Sequence, residues 1–186
     1  MTLGGKKKPQ TLPARTSGLA AKRRTRIPFS SVNRRGYAHH DPTMQRHHLL
    51  PRQLLNAKYF GKMFGVIGKD HLYFDDFRLN GLLLPSTEDA TRRTGMPLHR
   101  GPHRRYNELV IERVGQIEQS WSQAHGKDTE RALVDALQRL SVLQGALRAR
   151  LLSDRNRMIL NSKDPLGTGF DFAELDAMAE ELWKAT

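Results

Sequence analysis

Cysteine is absent from the 186 residues. Its absence removes disulfides and zinc–thiolate centres from consideration, and it fits a reducing cytoplasm or a protein delivered by dedicated machinery. No apolar run approaches the roughly 20 residues needed to cross a bilayer, so no membrane span is expected. The N-terminus carries Lys6-Lys7-Lys8 but lacks the apolar stretch of a secretory leader, so no standard signal peptide is expected either. Apolar residues are limited to 38 % and mean hydropathy is −0.62, which argues against a large core and leaves one modest domain with flanking segments. Acidic residues are also scarce. Nineteen Asp and Glu face 31 Lys and Arg, giving a net charge of +12 and a pI near 10.5, the balance of a chain with a polyanionic partner.

Most of the excess charge lies in the first 46 residues. There Lys6, Lys7, Lys8, Arg15, Lys22, Arg23, Arg24, Arg26, Arg34 and Arg35 are set among Gly, Ser, Pro and Thr. Such a segment buries too little surface to offset its ordering entropy, so residues 1–40 are expected to form a basic arm that is disordered when free. Its direct physical role is salt-sensitive, sequence-independent attraction to phosphates. A second basic group is Arg92, Arg93, Arg100, Arg104 and Arg105, which with Arg46 flanks the histidines described next. The planar guanidinium fork suits bidentate contact with phosphate.

Eight histidines are present, and two groups stand out. His47-His48 leads into Leu49-Leu50-Pro51, as expected of a short strand whose end presents side chains to a cleft. His99 and His103 lie four residues apart, and Asn80 falls between the two groups, opening the apolar segment Gly81-Leu82-Leu83-Leu84-Pro85. Neutral imidazole is the commonest side-chain metal ligand, and three of them leave coordination positions open for water and a phosphate oxygen. A further histidine kept off the metal can serve as general base, because its reference pKa of roughly 6.5 lies near working pH. Asparagine offers donors and acceptors together, so it can tie two backbone segments and hold a histidine in place. Gly101-Pro102 precedes a helical pattern in which Tyr106, Leu109, Val110 and Val114 recur at helical spacing, so a helix is expected from Pro102 to Trp121 with His103 in its first turn.

This layout resembles the HNH/endonuclease VII superfamily, and within it the toxin-type nucleases named for an Ala-His-His signature. The resemblance rests on Arg46-His47-His48-Leu49-Leu50-Pro51, on Asn80 to Pro85, and on Pro97 to Asn107, and it spans roughly residues 44 to 114. It implies a ββα-metal core. It also implies that His47 is a metal ligand, that His48 is the base activating water, and that Asn80 holds the ribbon and the base. His99 and His103 would complete the metal site, although a helix starting at Pro102 puts His103 and Asn107 on one face, so the third ligand is His99 or Asn107. One departure is Arg46, where the signature has alanine. A literal Ala38-His39-His40 occurs upstream, but Asp41-Pro42 and no apolar strand follow it. The resemblance further implies one divalent ion, whether magnesium, zinc or another transition metal, with all-imidazole ligation leaning towards a transition ion. It implies hydrolysis of phosphodiester bonds, with DNA favoured over RNA, and a bacterial toxin or effector role with an immunity protein as partner.

The expected fold class is therefore α+β and mainly helical: the basic arm over 1–40, a nuclease core over 41–121, and a helical region over 122–186 packed on it. Within the core a helical segment begins near Pro51, and an insert over Gly61–Phe77 brings Phe64, Tyr73, Phe74 and Phe77 to pack on the ribbon. Ser86–Thr91 reads as a polar loop. From Thr129, apolar residues at Ala132, Leu133, Ala136, Leu137, Leu140, Leu143, Leu147, Leu151 and Leu152 predict a helix of about 25 residues. A turn-rich connector over 162–169 and a short acidic helix over Asp171–Lys184 follow. His71, Asp75, Asp76 and His125 are weaker site candidates. Two other readings compete with the enzyme: a non-catalytic nucleic-acid-binding protein with a structural metal site, and an interaction protein acting through its C-terminal helices.

Overall fold

Met44–His48 (β1) and Gly81–Pro85 (β2) pair as an antiparallel ribbon in which Met44 faces Pro85, His47 faces Leu82 and His48 faces Gly81. The computed structural model describes residues 25–68, 71–155 and 157–167, without the side chains of residues 57–59. Among these residues the chain is rich in helix and has one two-stranded sheet, in keeping with a mainly helical α+β class.

Between the strands run a 3-10 turn at Arg52–Leu55, then α1 (Ala57–Ile67) and the one-turn α2 (Phe77–Asn80). The helical segment expected from Pro51 is thus only that 3-10 turn, and the true helix occupies much of the expected insert. Asp76 caps α2 by accepting a hydrogen bond from the Arg78 amide at 3.1 Å, and Asn80 is the last residue of this helix. Gly81 turns the chain into β2. A Cβ there would lie 2.3 Å from the Phe77 ring and 2.7 Å from the Phe77 carbonyl, a close approach that only glycine permits.

After β2 the expected polar loop is instead the start of a helix, α3 (Glu88–Thr94). Thr87 caps it, Glu88 and Asp89 fill its first turn, and Gly95 closes it in the left-handed conformation with φ 70°. An irregular segment then leads to α4 (Arg104–His125), which begins two residues later than expected and runs one turn beyond Trp121. Gly126–Asp128 turns the chain into α5 (Thr129–Leu151), which Asp128 caps.

Tyr106, Leu109, Val110, Val114, Ile117 and Trp121 form the buried face of α4. Ala132, Ala136, Leu140, Leu143, Leu147 and Leu151 form that of α5, so most of the predicted stripe is spent inside the molecule, while Leu133 and Leu137 are only partly buried and Leu152 is exposed. Both faces join one core with Leu49, Leu50, Leu54, Met63, Phe64, Phe74 and Leu84. Residues 25–40 depart from the disordered arm that was expected. They form a 3-10 turn at Phe29–Ser31 and further turns, with Phe29 buried. The remainder of that arm, residues 1–24, and the acidic helix over Asp171–Lys184 lie outside the described residues.

Candidate active site

Side chains alternate between the faces of a strand, so adjacent histidines at the end of β1 point opposite ways. His47 faces the core and is 1 % exposed, while His48 is half-buried on the other face. His99 sits in the irregular segment after α3, where its amide donates to the Pro85 carbonyl at 2.7 Å and so continues from the end of β2. His103 occupies the N-cap position of α4, not its first turn; its carbonyl accepts the first helical hydrogen bond, from the Asn107 amide at 3.1 Å.

Three elements thus converge three imidazoles. Ring centroids are 4.9 Å apart for His47–His99, 5.1 Å for His47–His103 and 4.9 Å for His99–His103. One ligand nitrogen from each lies within 4.8 Å of the other two. Among the described residues, neither nitrogen of His47 has a hydrogen-bond partner, and Nδ1 of His99 is buried without one as well. A buried nitrogen with no partner is costly unless something absent from the bare chain satisfies it. Burial, reinforced by the neighbouring imidazoles, lowers His47 well below the ordinary histidine range. Burial and His103 lower His99 to about 4, and burial lowers His103. All three are neutral at pH 7, with lone pairs available. That chemistry fits one divalent ion.

The ring of Tyr106 packs edge-on against His47 at 4.8 Å, and its hydroxyl donates to the Leu49 carbonyl at 2.7 Å. This ties the first turn of α4 to the chain just beyond the histidine pair. Asn80 is fully buried. Its Oδ1 accepts from the Leu50 amide at 2.7 Å and from Gln144 of α5 at 3.2 Å, while Nδ2 donates to the carbonyls of Leu50 and Phe74, each at 3.2 Å. Its own carbonyl accepts from the Leu49 amide at 2.8 Å. Asn80 therefore fastens the chain leaving β1 to the chain entering β2.

His48 stands apart from the three. Burial is the main cause that lowers it to about 4, with the positive charges of Arg52 and Arg46 adding to it and Asp75 opposing it. Its imidazole stacks face to face on Phe29 at 3.7 Å, with the planes 1° apart. Asn107 lies one turn along α4 from His103, and its Oδ1 is buried without a hydrogen-bond partner among the described residues.

The predicted arginines divide in two. Arg46 donates to the Phe29 carbonyl at 2.6 Å. On α3, Arg92 pairs with Glu88 and Asp89, and Arg93 lies 3.7 Å from Asp41. Arg100, Arg104 and Arg105 are exposed around His99 and His103. The weaker candidates fall elsewhere: His39 and His40 lie in the turns after Asn33, His71 is exposed, and His125 stacks on Trp121 at 4.4 Å. Asp76 is buried as the α2 cap and pairs with Arg78 at 3.2 Å.

The model of a nuclease family of the HNH/ENDO VII superfamily with conserved AHH matches residues 29–142. The chain belongs to this AHH nuclease family. The match takes in the ribbon, α1 to α4 and the first half of α5, so every residue of the histidine cluster falls within it. No curated protein and no solved structure matches the chain.

In this AHH-family chain, several supporting residues escaped the sequence reading. Phe29 packs on His48, and Gln144 and Arg148 of α5 reach the Asn80 turn. Arg148 donates to the carbonyls of Arg78 at 2.6 Å and Gly81 at 2.9 Å. Arg157 and Asp164 pair at 2.8 Å beside the segment that carries His99. The one signal for any of them was the short apolar run Ile27-Pro28-Phe29 inside an otherwise basic, polar stretch.

Proposed function

We propose that this protein is a metal-dependent endonuclease with a ββα-metal core, made of β1, β2 and α4, that hydrolyses phosphodiester bonds, in DNA in preference to RNA. One observation carries the reading: in a chain of a nuclease family, three neutral imidazoles gather with a ligand nitrogen of each within 4.8 Å of the others, those of His47 and His99 include buried nitrogens unpartnered among the described residues, and a fourth histidine faces away from them. His47, His99 and His103 would hold the ion. Asn107, one turn along α4 from His103, offers its Oδ1 as the alternative to His99 for the third ligand. A bound divalent ion supplies Lewis acidity, polarising the scissile phosphate and stabilising the departing sugar oxygen. Three imidazoles favour a transition ion such as zinc over magnesium.

The remaining chemistry belongs to the chain. His48 is neutral at pH 7 and so can accept a proton from the attacking water. A phosphate placed beside it raises its proton affinity, moving it towards the range where a base is effective. Asn80 holds both strand ends, and with them the spacing between His48 and the ion. Arg100, Arg104 and Arg105 contact flanking phosphates. We further propose, as the biological reading of a nuclease-family chain, a bacterial toxin or effector nuclease, delivered into a target cell by a dedicated secretion system and held in check by an immunity protein.

Plasmid nicking with and without EDTA, comparing wild type with His48→Ala, tests the assignment. We expect divalent-ion-dependent cleavage that falls at least about 1,000-fold in the variant, and faster cleavage of duplex DNA than of RNA. Binding without cleavage by either protein would identify a non-catalytic nucleic-acid-binding protein instead. Activity that survives His48→Ala and disappears in His40→Ala would move the site to the literal Ala38-His39-His40.

A further inference from the structure

A general base is usually aimed by a hydrogen bond from a carboxylate or carbonyl to its second ring nitrogen. Among the described residues, no side chain or carbonyl makes such a bond to His48. Among the described residues its aromatic partner is the face of Phe29, parallel within 1° at 3.7 Å. Phe29 is itself firmly held. Its ring meets Phe77 edge-on at 5.1 Å, and its carbonyl accepts from Arg46 at 2.6 Å. Two residues earlier, the Ile27 carbonyl accepts from the Phe77 amide at 2.7 Å and the Ile27 amide donates to Asp76 Oδ1 at 3.4 Å. Pro28 and Asp76 form an isolated antiparallel bridge. Residues 27–29 thus make a strap across the entrance to α2, and the strap ends in a flat ring laid against the imidazole.

We propose that Phe29 is a positioning residue for His48, fixing the plane of its imidazole so that a ring nitrogen stays aimed at the attacking water. The inference rests on the nuclease reading above and adds a residue to it. A face-to-face contact stops the ring from tipping out of its plane while leaving the ring edge, where both nitrogens lie, uncovered. Activity is sensitive to small errors in the aim of a base, so loss of the flat partner acts on turnover and leaves substrate and metal binding in place. The strap reaches this position from the N-terminal side of the ribbon, so a stretch outside the two strands and α4 completes the site.

The experiment uses the full chain and a duplex DNA substrate, with Mg2+, Mn2+ and Zn2+ supplied in turn. Phe29→Leu keeps an apolar side chain without a flat face; Phe29→Tyr keeps the ring; Phe29→Met serves in place of leucine if that variant does not fold. For Phe29→Leu we expect kcat to fall at least tenfold, with KM and the Kd for Co2+ each within twofold of wild type. Phe29→Tyr should recover most of kcat, and the upfield shift of the His48 ring protons in the NMR spectrum should be present in wild type and lost with leucine. Full turnover in Phe29→Leu, in a protein whose His48→Ala variant is dead, overturns the inference alone. Equal losses with leucine and tyrosine, or a lowered Co2+ affinity and thermal midpoint matching the loss of turnover, also overturn it by showing a purely structural part. A wild type that does not cleave, or a His48→Ala variant that cleaves normally, defeats the reading of the site itself and the Phe29 inference with it.

Discussion

His47 and His48 are chemically identical and adjacent, yet the two-residue period of β1 sends one into the core and the other to the opposite face. Their separation is legible in sequence as soon as a strand is assigned. The same burial that keeps these histidines neutral gives the metal-free protein a defined pH response. His48 and His99 take up protons only near pH 4 in the folded chain, but near 6.5 when unfolded. The unfolded state therefore binds more protons between those values, and stability of the metal-free protein should rise from pH 4 to about 6.5 and level off above it. Urea unfolding in EDTA checks this; a midpoint as high at pH 5 as at pH 7 would contradict it. Asn80→Ala should cost about 2–4 kcal/mol, since it strands the buried Leu50 amide and two carbonyls. Denaturant titration measures that loss, and a cost below about 1 kcal/mol would mean that water replaces the amide.

At the scale of elements, the segment that carries His99 is held from behind. Asp164 accepts from the Leu98 amide at 2.7 Å, and Asn161 donates to the Arg100 carbonyl, so both neighbours of His99 are pinned. Arg157 completes the clamp by donating to the carbonyls of Gly95 at 2.7 Å and Met96 at 2.9 Å. Both members of the pair are largely shielded, which makes the loss of one partner expensive. Asp164→Ala should cost about 3–5 kcal/mol by denaturant titration, and weaken Co2+ or Zn2+ binding by about 10- to 100-fold in calorimetry. Unchanged metal affinity would show that His99 finds its place unaided. The clamp could not be foreseen, because Arg157 and Asp164 meet a segment about sixty residues away through backbone carbonyls and amides that carry no sequence mark. The start of α4 was displaced for a local reason. Gly101 adopts a positive φ of 76°, and His103 has non-helical angles, so the helix begins at Arg104 and His103 becomes its cap. For α3 the signals were present, Thr87 before two acids and Gly95 after the last turn, but the segment's polarity outweighed them.

Over the whole molecule, charge and fold act together. The net charge of +12 attracts nucleic acid from a distance, and Arg100, Arg104 and Arg105 lie where the histidines cluster. Replacing any one of these three by alanine should weaken binding to all sequences alike and reduce the slope of log K against log salt by about 1. Arg92→Ala should leave the slope nearly unchanged, since that side chain is already paired with Glu88 and Asp89. Filter binding between about 50 and 200 mM salt distinguishes the two, and equal slopes for all four variants would remove the site arginines from the interface. Removal of residues 1–24, which carry Lys6, Lys7, Lys8, Arg15, Lys22, Arg23 and Arg24, should lower affinity while leaving Phe29 and its strap in place. Helix α5 belongs to the same core: it packs its apolar stripe on α4 and sends Gln144 to Asn80.

By itself the sequence determined where imidazole, amide and guanidinium groups, the residue types that the proposed metal and phosphate chemistry would use, fall on a strand end or near a helix start. It also determined the long apolar faces of α4 and α5, since a 3.6-residue repeat needs no knowledge of distant contacts. Tertiary structure alone decided what holds those groups in position. Phe29 on His48, Gln144 on Asn80 and the Arg157–Asp164 clamp beside His99 are contacts between residues far apart in the chain. Such contacts depend on shape and backbone hydrogen bonding after the chain has folded, and the residues that make them look ordinary until it has.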